Sequence, residues 1–331
     1  MSERLIDVPF VVHPHEHGTR VDTFLSRRVK RMSRSLVVRV IKLGNVRKEP
    51  AGTIVDRPSL RVFEGETIVM KRKPLNEGPT DDIEIPILFA DEHVLAVCKP
   101  GDLVVHPTAS AYHRTLIRIL RERLDDHDLD LAHRIDKETS GLVLIGRDNK
   151  SASHLTQQFA RREVEKTYLA VVEGVPEFIT EAVDVPLRLV PDSLTSCLME
   201  VGGEGAQPAY TFFEVLATGE DAALVKCSPK TGRQHQIRVH LLHLGHRILG
   251  DKLYSEDEHL FIEAVGGRIA PEELTDRIGH HRQALHAFSA TFHHPGLDER
   301  MTLEAPPPPD FMALLERHGI EWRGLPPASV A

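Results

Sequence analysis

Cysteine and long apolar runs are scarce in this sequence, and each scarcity excludes a class of protein. The 331 residues include only three cysteines, Cys98, Cys197 and Cys227, which lie far apart. An odd number of cysteines without paired spacing argues against a disulfide framework and favours a reducing compartment. The opening stretch MSERLIDVPFVVHPHEHG is too charged for a secretory signal, and no apolar run has the length of a membrane span. We therefore expect a soluble, cytoplasmic protein with no membrane partner.

The sequence also lacks the common motifs for nucleotides and metals. It contains no Walker motif, no other glycine-rich phosphate loop and no Rossmann fingerprint. Four histidines lie close together in the segment HQIRVHLLHLGH, but neither an HExxH motif nor a carboxylate partner accompanies them. We therefore predict that the protein uses no cofactor and no metal.

Basic charge is concentrated near the N-terminus, although the whole chain carries a net charge of −8. Residues 19–50 contain ten basic and only two acidic side chains, so this segment alone has a net charge of +8. Phosphate contacts need such a local basic surface, whatever the total charge of the chain. The alternative interpretation is a solvated face of an amphipathic helix.

Hydrophobic periodicity divides the chain into a small module and a larger domain. Two short helices and a small sheet are predicted within residues 19–70, after an N-terminal arm over residues 1–18. Residues 71–84 carry proline, glycine and charge without an apolar period, which predicts a linker. Residues 85–325 mix strands and helices without regular βαβ alternation, which predicts an α+β domain.

One polar stretch stands directly before an apolar strand. The segment HRIDKETSGL, residues 133–142, places Asp136 between Arg134 and Lys137, ahead of the apolar run Leu142–Ile145. Aspartate is common in turns, where it forms local hydrogen bonds, so Asp136 could be a solvated turn residue. The alternative is an ionised carboxylate held in a cleft, and this stretch alone does not decide between the two.

A partner for this carboxylate is predicted in the segment TGRQHQIRVH. A carboxylate that stays ionised in a cleft needs a fixed opposite charge, which lowers its pKa. Arg238 is the candidate, because a guanidinium matches a carboxylate in a two-pronged geometry. Thr231 and Gln234 are spaced as a capping box, so we expect the helix that carries Arg238 to begin there.

Five ordered motifs resemble the RluA-type pseudouridine synthase family. HRIDKETSGL is similar to its HRLDxxTSGL signature, and KTYLAVVEG to its K-x-Y-x-A segment. TGRQHQIRVHL and the following LGDKLY are similar to its TGRxHQIRxH and GDxxY stretches. DEHVLAVCKPGDLVVHP resembles the opening strand pair of the family, and LHAFSATFHHP with LEAPPPPDF resembles its ending, so about residues 85–312 are covered. Residues 19–70 are similar to the α-L RNA-binding module that often precedes this domain.

The resemblance implies a fold and a reaction. The fold is the α+β pseudouridine synthase fold, with a mixed, mainly antiparallel sheet, flanking helices and a central cleft. The reaction is the isomerisation of uridine in RNA: the N1–C1′ bond breaks, the uracil rotates and C5 joins C1′, without cofactor or metal. The implied partner is structured RNA, in the first place ribosomal RNA of the large subunit, and the implied enzyme is a monomer.

The same resemblance assigns roles to individual residues. Asp136, Tyr168 and Arg238 take the catalytic positions: Tyr168 stacks on the uracil and Arg238 keeps Asp136 ionised. Asp136 attacks the sugar, attacks the base or removes a sugar proton, and the sequence leaves these three open. The implied substrate-binding residues, which fill the space of the flipped base, pack beneath it or contact phosphate, are Arg134, His133, Leu285, Lys166, Lys99 and Arg233. The implied RNA contacts of the module are Arg20, Arg34, Arg39, Lys42 and Arg47.

Three other functions are compatible with parts of this pattern. A pseudouridine synthase that acts on tRNA would carry the same motifs. A non-catalytic RNA-binding or ribosome-assembly protein would keep the fold, but it has no need for a charged pair in a dry cleft. A carboxylate glycosidase or nucleosidase would need two acidic groups flanking the reacting bond, and only Asp136 stands in such a motif.

Overall fold

The chain forms two compact units. Unit 1 comprises Met1–Thr80 and His106–Ile119, and unit 2 comprises Asp81–Val105 and Leu120–Ala331. Residues 1–5 of the predicted arm and residues 73–78 of the predicted linker lie outside the described residues. The computed structural model describes residues 6–29, 34–72, 79–108, 111–191, 193–195, 197–255, 258–297 and 299–325.

Unit 1 contains a four-stranded antiparallel sheet and two short helices. Its elements are β1 (Ile6–Val11), a 3₁₀ turn (Pro14–Glu16), α1 (Val21–Arg28), α2 (Arg34–Lys42), β2 (Val46–Glu49), β3 (Thr53–Ile54) and β4 (Thr67–Arg72). The strand order is β1-β4-β2-β3. The apolar face of each helix packs on the sheet, and Phe24, Val37, Ile41 and Met70 are buried in the core that results.

The structure corrects two boundaries predicted for this module. The predicted arm supplies β1, which pairs with β4 and whose residues alternate between buried and more exposed from Ile6 onward. The segment 106–119, predicted within the larger domain, belongs to unit 1, where Tyr112 packs against the core. Both features depend on contacts between residues far apart in the sequence, which local periodicity does not reveal.

Unit 2 is built on a ten-stranded mixed sheet. Its strands are β5 (Ile87–Ala90), β6 (Val94–Lys99), β7 (Asp130–Leu131), β8 (Ser140–Gly146), β9 (Glu165–Glu173), β10 (Thr180–Asp184), β13 (Tyr210–Thr218), β14 (Ala222–Pro229), β15 (Leu285–His293) and β16 (Arg300–Glu304), with β11 (Leu187–Leu189) and β12 (Met199–Val201) forming a separate ribbon. The main path is β10-β13-β14-β9-β15-β8-β6-β5, with β16 on β15 and β7 on β8. Among these pairs only β15 and β8 run parallel.

Five helices complete the described elements, and a sixth connects the two units in the chain. They are α3 (Leu116–Arg123), through which the chain passes from unit 1 to unit 2, α4 (Asn149–Arg161), α5 (Gln236–His243), α6 (Glu258–Val265), α7 (Pro271–Ile278) and α8 (Pro309–Arg317). Mainly antiparallel strands with separate helices confirm the predicted α+β class. None of the helices in the described part of the chain has the length and apolar character that a bilayer crossing requires.

The centre of the sheet fixes the relative positions of the predicted functional segments. β9 lies between β14 and β15, and its Tyr168 is in register with Cys227 on one side and Ala287 on the other. β8 pairs with the far side of β15 at Gly141, which has a φ of +112°. A Cβ at Gly141 would lie 2.2 Å from the carbonyl oxygen of Ala287, so only glycine allows this approach. The segment that leads into β8 is thereby held close to β9.

Candidate active site

A cleft of about 550 Å³ opens in unit 2. Its volume is within the range of pockets that take drug-sized ligands. Of the nine residues predicted to be catalytic or substrate-binding, the structure brings together eight in its lining: Asp136, Tyr168, Arg238, Arg134, His133, Leu285, Lys166 and Arg233. These residues come from the segment before β8, from β9, from the loop between β14 and α5 with the first turn of α5, and from the start of β15.

Asp136 lies in the irregular segment that leads into β8, and 33% of its side chain is exposed to the cleft. Arg238 donates from Nη1 to Asp136 Oδ2 at 3.0 Å, and Gln283 donates from Nε2 to the same oxygen at 3.5 Å. Burial raises the pKa of Asp136, but the charge and hydrogen bond of Arg238, together with His235 and the Gln283 hydrogen bond, outweigh this effect and hold the pKa below its ordinary value. Asp136 is therefore a carboxylate, not a carboxylic acid, at neutral pH.

Arg238 is itself fixed by a second carboxylate. Asp251 accepts hydrogen bonds from Nε at 2.6 Å and from Nη2 at 2.7 Å, and the ring centroid of Tyr254 lies 4.9 Å from the guanidinium carbon. The backbone N–H groups of Leu253 and Tyr254 donate to Asp251 Oδ1 at 3.1 and 3.2 Å. Burial lowers the pKa of Arg238, but Asp251 and Asp136 raise it above its ordinary value overall. The guanidinium is thus a permanent cation with a fixed orientation between two carboxylates.

The start of α5 differs from the prediction. The helix begins at Gln236, not at Thr231, and the predicted capping box with Gln234 is wrong. Gln236 replaces it: its Oε1 accepts from the Thr231 hydroxyl at 2.7 Å and from the Arg233 N–H at 3.0 Å. Arg238 therefore lies in the first turn of the helix, and the loop before it is tied down by one side-chain amide.

Tyr168 and Leu285 form an apolar and aromatic part of the lining. Tyr168 lies on β9, and its neighbour strand β15 begins at Leu285, which is buried. Burial and the negative charge of Asp136 raise the pKa of Tyr168, so its phenol stays neutral. A neutral ring and an aliphatic side chain beside an ionised carboxylate provide surfaces on which a planar base can pack.

Basic side chains surround the cleft. Arg134, Arg162, Lys166 and Arg233 all contribute to its lining. None of the four has an ion-pair partner among the residues that the structure describes, although Arg233 donates from Nε to the carbonyl oxygen of Pro208 at 3.1 Å. Burial, together with Arg162 and Lys230, lowers the pKa of Lys166 to about 8, so Lys166 is still mostly protonated at neutral pH. The rim of the cleft can therefore attract an anionic ligand.

His133 has a neutral imidazole with a defined tautomer. Its Nε2 accepts a hydrogen bond from the Leu144 N–H at 3.0 Å, so its own hydrogen lies on Nδ1. The ring stacks on Phe159 with centroids 4.3 Å apart, and burial lowers its pKa to about 3. His133 therefore anchors the catalytic segment to β8 and offers the cleft a neutral surface.

The structure contradicts the prediction that Lys99 contacts phosphate. Lys99 is completely buried, and its Nζ donates to the carbonyl oxygens of Pro100, Leu103 and Lys137 at 2.8, 2.9 and 2.8 Å. All three N–H groups of the ammonium are used, and burial lowers its pKa to about 7. Lys99 ties the turn after β6 to the residue that follows Asp136. Since lysine is usually exposed, residue type alone does not reveal this role.

Four residues of the site had no role in the prediction: Asp251, Tyr254, His235 and Gln283. Asp251 and Tyr254 lie in LGDKLY, one of the stretches that resemble the family. This stretch could therefore have predicted an acidic partner for Arg238. His235 stands in the quoted TGRQHQIRVH stretch, three residues before Arg238. Gln283 has no signal in the sequence, because its contact with Asp136 depends on tertiary structure alone.

The five basic residues predicted as RNA contacts of unit 1 fall into two groups. Arg20 and Arg34 both pair with Asp22, at 2.9 and 3.0 Å, and Arg47 pairs with Asp7 and Glu49. These three cations are partly neutralised within the unit. Arg39 and Lys42 are exposed on α2 and have no ion-pair partner among the described residues.

Comparison with solved structures defines the class of the fold. The human RNA Pseudouridylate Synthase Domain Containing 4 matches with a TM-score of 0.56 and 28% identity, over 71% of this chain and 94% of that chain. The human RNA Pseudouridylate Synthase Domain Containing 1 matches with a TM-score of 0.57 and 26% identity, over 72% of this chain and 89% of that chain. The fold is that of a pseudouridine synthase, as the sequence predicted.

Sequence comparison then places the chain within that class. Residues 93–243, which include Asp136, Tyr168 and Arg238, match the family described as RNA pseudouridylate synthase, and the chain belongs to this family of isomerases. Ribosomal large subunit pseudouridine synthase C of Pasteurella multocida is 33% identical over 91% of this chain and 90% of its own length. Ribosomal large subunit pseudouridine synthase D of Zymomonas mobilis is 30% identical over 90% of this chain and 93% of its own length.

Proposed function

We propose that this enzyme converts specific uridines of large-subunit ribosomal RNA to pseudouridine in the cleft around Asp136. The names of the C and D relatives, which match along about nine-tenths of their length, support ribosomal RNA as the substrate. One observation carries the catalytic assignment: Asp136 is kept ionised by Arg238, whose guanidinium is fixed in place by Asp251. A protein that only binds RNA has no need to hold a desolvated charged pair in a cleft.

The reaction requires a uridine that has left its stacked position in the RNA. Enzymes that act on a base extrude it into a pocket, because the reacting atoms are inaccessible inside a helix. In our proposal the base enters between Tyr168 and Leu285, while the exposed Arg134 fills the space that it leaves. Contacts with an aromatic face and with an inserted side chain offset the stacking energy that is lost.

Asp136 then acts on the bound uridine as an anion. It either attacks C1′ or the base as a nucleophile, or removes a proton from the sugar, and each route breaks the N1–C1′ bond. The uracil turns, C5 bonds to C1′, the proton on C5 leaves and N1 gains a proton, so no atom is gained or lost overall. An ionised carboxylate is competent for each of the three first steps, and an Asn amide for none of them.

Affinity for the RNA comes from phosphate contacts at two places. The basic rim of Arg134, Arg162, Lys166 and Arg233 holds the backbone around the extruded nucleotide. We infer that unit 1 is an RNA-binding module and that Arg39 and Lys42, whose charges are not consumed by ion pairs among the described residues, are its principal phosphate contacts. Contacts with phosphate position a protein without reading bases, so the cleft and its rim select the uridine.

Mapping of pseudouridine in cellular RNA tests the proposal. Cells with and without this chain are compared at every uridine of ribosomal RNA and tRNA, and the deleted strain is complemented with the wild type or with Asp136→Asn. We expect loss of pseudouridine at one or a few large-subunit positions, restored by the wild type only. Loss confined to tRNA would contradict the proposed substrate, and restoration by Asp136→Asn would contradict the catalytic assignment.

A further inference from the structure

His235 lies between a tyrosine and the catalytic carboxylate. Its Nδ1 is 2.9 Å from the Tyr254 hydroxyl, and its Nε2 is 4.0 Å from Asp136 Oδ2. The imidazole therefore lies between two polar groups, one of them within hydrogen-bond distance, although no role was assigned to it in the motif that contains it. The position of its hydrogen decides what it can do for Asp136.

The contact between His235 Nδ1 and the Tyr254 hydroxyl favours a hydrogen on Nε2 of His235. The Tyr254 oxygen accepts the Met199 N–H at 3.0 Å, and its other contact among the described residues is His235 Nδ1. If Nδ1 donated to Tyr254, the phenolic hydrogen would have no acceptor in this partly buried place, which costs free energy. If the phenol donates to Nδ1, every polar hydrogen is used. Tyr254 stays protonated because burial raises its pKa.

The carboxylate end selects the same tautomer. An N–H on Nε2 directs its positive end at Asp136 Oδ2, whereas a lone pair there would face an anion. At 4.0 Å the two atoms are not hydrogen-bonded in this structure, and catalytic hydrogen bonds often form or shorten only when substrate is bound. The contacts with Tyr254 and with Asp136 thus both favour the tautomer of His235 with its hydrogen on Nε2.

The backbone of His235 is held in an unfavourable conformation to reach this place. Its φ of +55° and ψ of 16° are left-handed, a region that few non-glycine residues adopt, although asparagine, aspartate and histidine do so more often than the others. The hydrogen bonds of Gln236 with Thr231 and the Arg233 N–H fix the loop on the N-terminal side. Such strain persists where the surrounding structure enforces it, and it is concentrated at functional sites.

We propose that His235 is a positioning residue for Asp136: a neutral imidazole whose hydrogen Tyr254 fixes on Nε2, directed at Oδ2. Arg238 and Gln283 donate to this oxygen, and His235 Nε2 faces it at 4.0 Å. Asp136 Oδ1 has no hydrogen-bond partner among the described residues, so it is left as the reacting oxygen. The effect on turnover rests on the proposed function, whereas the tautomer does not.

The charges around His235 keep it neutral. Burial, Arg238 and Arg134 lower its pKa, Asp136 and Asp251 raise it, and the net result is a pKa of about 4. Tyr254, the remaining titratable group in contact, is neutral. His235 can therefore direct an N–H at Asp136 without adding a second cation beside Arg238.

The tautomer is tested directly by nitrogen NMR of the full-length protein labelled with ¹⁵N-histidine. The signals of His235 are assigned by their loss in His235→Gln. We expect a single Nε2–H tautomer that does not titrate between pH 5 and pH 8. In Tyr254→Phe, which cannot donate to Nδ1, we expect the Nε2–H tautomer to lose part of its population, because only the contact with Asp136 still favours it. An Nδ1–H tautomer in the wild type would overturn the proposal, whether or not the protein modifies ribosomal RNA.

Single-turnover kinetics test the consequence for Asp136. His235→Ala should slow the reaction about tenfold and move the acidic limb of the pH profile upward by about one unit, since Asp136 loses a donor that stabilises its ionised form. His235→Gln, which can place an amide N–H near the position of Nε2, should recover part of the rate. The matched control is His243→Ala, an exposed histidine on helix α5, which His235 precedes.

The outcomes separate this inference from the proposed function. An unshifted acidic limb together with a wild-type rate in His235→Ala would overturn the positioning role. A slow rate without a shifted limb, not recovered by glutamine, would mean that His235 only supports the loop, and would also overturn it. If the wild type itself forms no pseudouridine in ribosomal RNA, the proposed function fails while the tautomer measurement stands.

Discussion

Asp136 and Asp251 share one guanidinium, and the sharing is unequal. Arg238 gives Asp251 two hydrogen bonds at 2.6 and 2.7 Å, and Asp136 one at 3.0 Å. The fully buried carboxylate thus receives the stronger, two-pronged contact, and the cleft-facing one keeps an oxygen free for chemistry. A net negative charge remains among the three side chains, at the centre of a basic rim. The two carboxylates therefore have different tasks, one in orientation and one in reaction.

The first prediction concerns Asp136 itself. Asp136→Asn should reduce pseudouridine formation by roughly 10³-fold or more, because the amide can act neither as a nucleophile nor as a base. Urea unfolding and RNA affinity should change little, since the side chain is part-exposed and nearly isosteric. The exposed Asp128→Asn is the control, and it should keep the wild-type rate. Substantial turnover by purified Asp136→Asn would refute the assignment.

The second prediction concerns Arg238. Arg238→Met should abolish activity and also lower the free energy of unfolding by about 3–5 kcal/mol, because it leaves Asp251 buried without a counterion. In the double variant Arg238→Met/Asp251→Asn, part of this stability should return while activity stays absent. Urea denaturation of the two single variants and the double variant measures the coupling. Additive losses of stability would show that the two side chains do not form a coupled pair.

At the scale of elements, the functional residues are held by contacts between segments distant in the sequence. The segment before β8 is fixed by the hydrogen bond from Leu144 to His133 and by the Lys99 ammonium, which binds the carbonyl oxygen of Lys137. The loop before α5 is fixed by Gln236, whose Nε2 donates to the Tyr210 carbonyl oxygen and the Thr211 hydroxyl, both at 2.9 Å. Each ligand-facing segment thus has its own polar anchor in the sheet.

The third prediction tests one such anchor. Lys99→Met leaves three buried carbonyl oxygens without their donor, so the free energy of unfolding should fall by about 1–3 kcal/mol or more. The rate of the chemical step should fall with it, because the residue after Asp136 loses its tether, while RNA affinity should hardly change. The exposed Lys150→Met is the control for the loss of one charge. Weaker RNA binding at normal stability would instead mean that Lys99 contacts phosphate.

The secondary-structure elements that the sequence predicted correctly are those whose signals lie in neighbouring residues. The fully apolar run Leu142–Ile145 indicated a strand, and β8 there is buried. Helix α4 also has a local start signal, because Asp148 caps it by accepting from the Lys150 and Ser151 N–H groups. The start of α5 was misplaced because Gln236, not Gln234, ties the loop.

The unpredicted part of the site depends on distant contacts. Sequence motifs indicated Asp136 and Arg238, and the structure brings them within 3.0 Å across 102 positions of the chain. No local rule indicates that Gln283 reaches Asp136 or that a lysine is buried against three carbonyl oxygens. Motifs therefore identify which residues react, and tertiary contacts decide which residues hold them.

At the scale of the whole molecule, the charge is divided between a basic N-terminal segment and an acidic remainder. Many cations of the segment are engaged within unit 1: Arg20 and Arg34 by Asp22, Arg28 by Glu16, and Arg47 by Asp7 and Glu49. The net charge of +8 over residues 19–50 therefore overstates the charge that is available for RNA. Exposed cations without such partners, such as Arg39 and Lys42, should account for most of the salt dependence.

The fourth prediction concerns this salt dependence. Neutralising Arg39 and Lys42 together to Gln should weaken binding to structured ribosomal RNA and reduce the slope of log affinity against log salt by about 1.4–1.8. Neutralising the exposed Arg268 and Arg323 of unit 2 is the control with equal loss of charge. Titrations at several salt concentrations decide the question. Equal slopes for the two double variants would show that α2 is only a solvated face.

Unit 1 is discontinuous in the chain, and this has a consequence in time. Residues 1–80 are made first, but Tyr112, stacked against the Arg118 guanidinium at 4.4 Å and packed on the core of unit 1, is made only after residues 81–105 of unit 2. A ribosome that adds roughly 5–20 residues per second needs roughly 2–8 s to extend the chain from residue 80 to residue 119. During that interval the apolar surface beneath Tyr112 is uncovered on every nascent chain, open to a chaperone or to another unfinished copy.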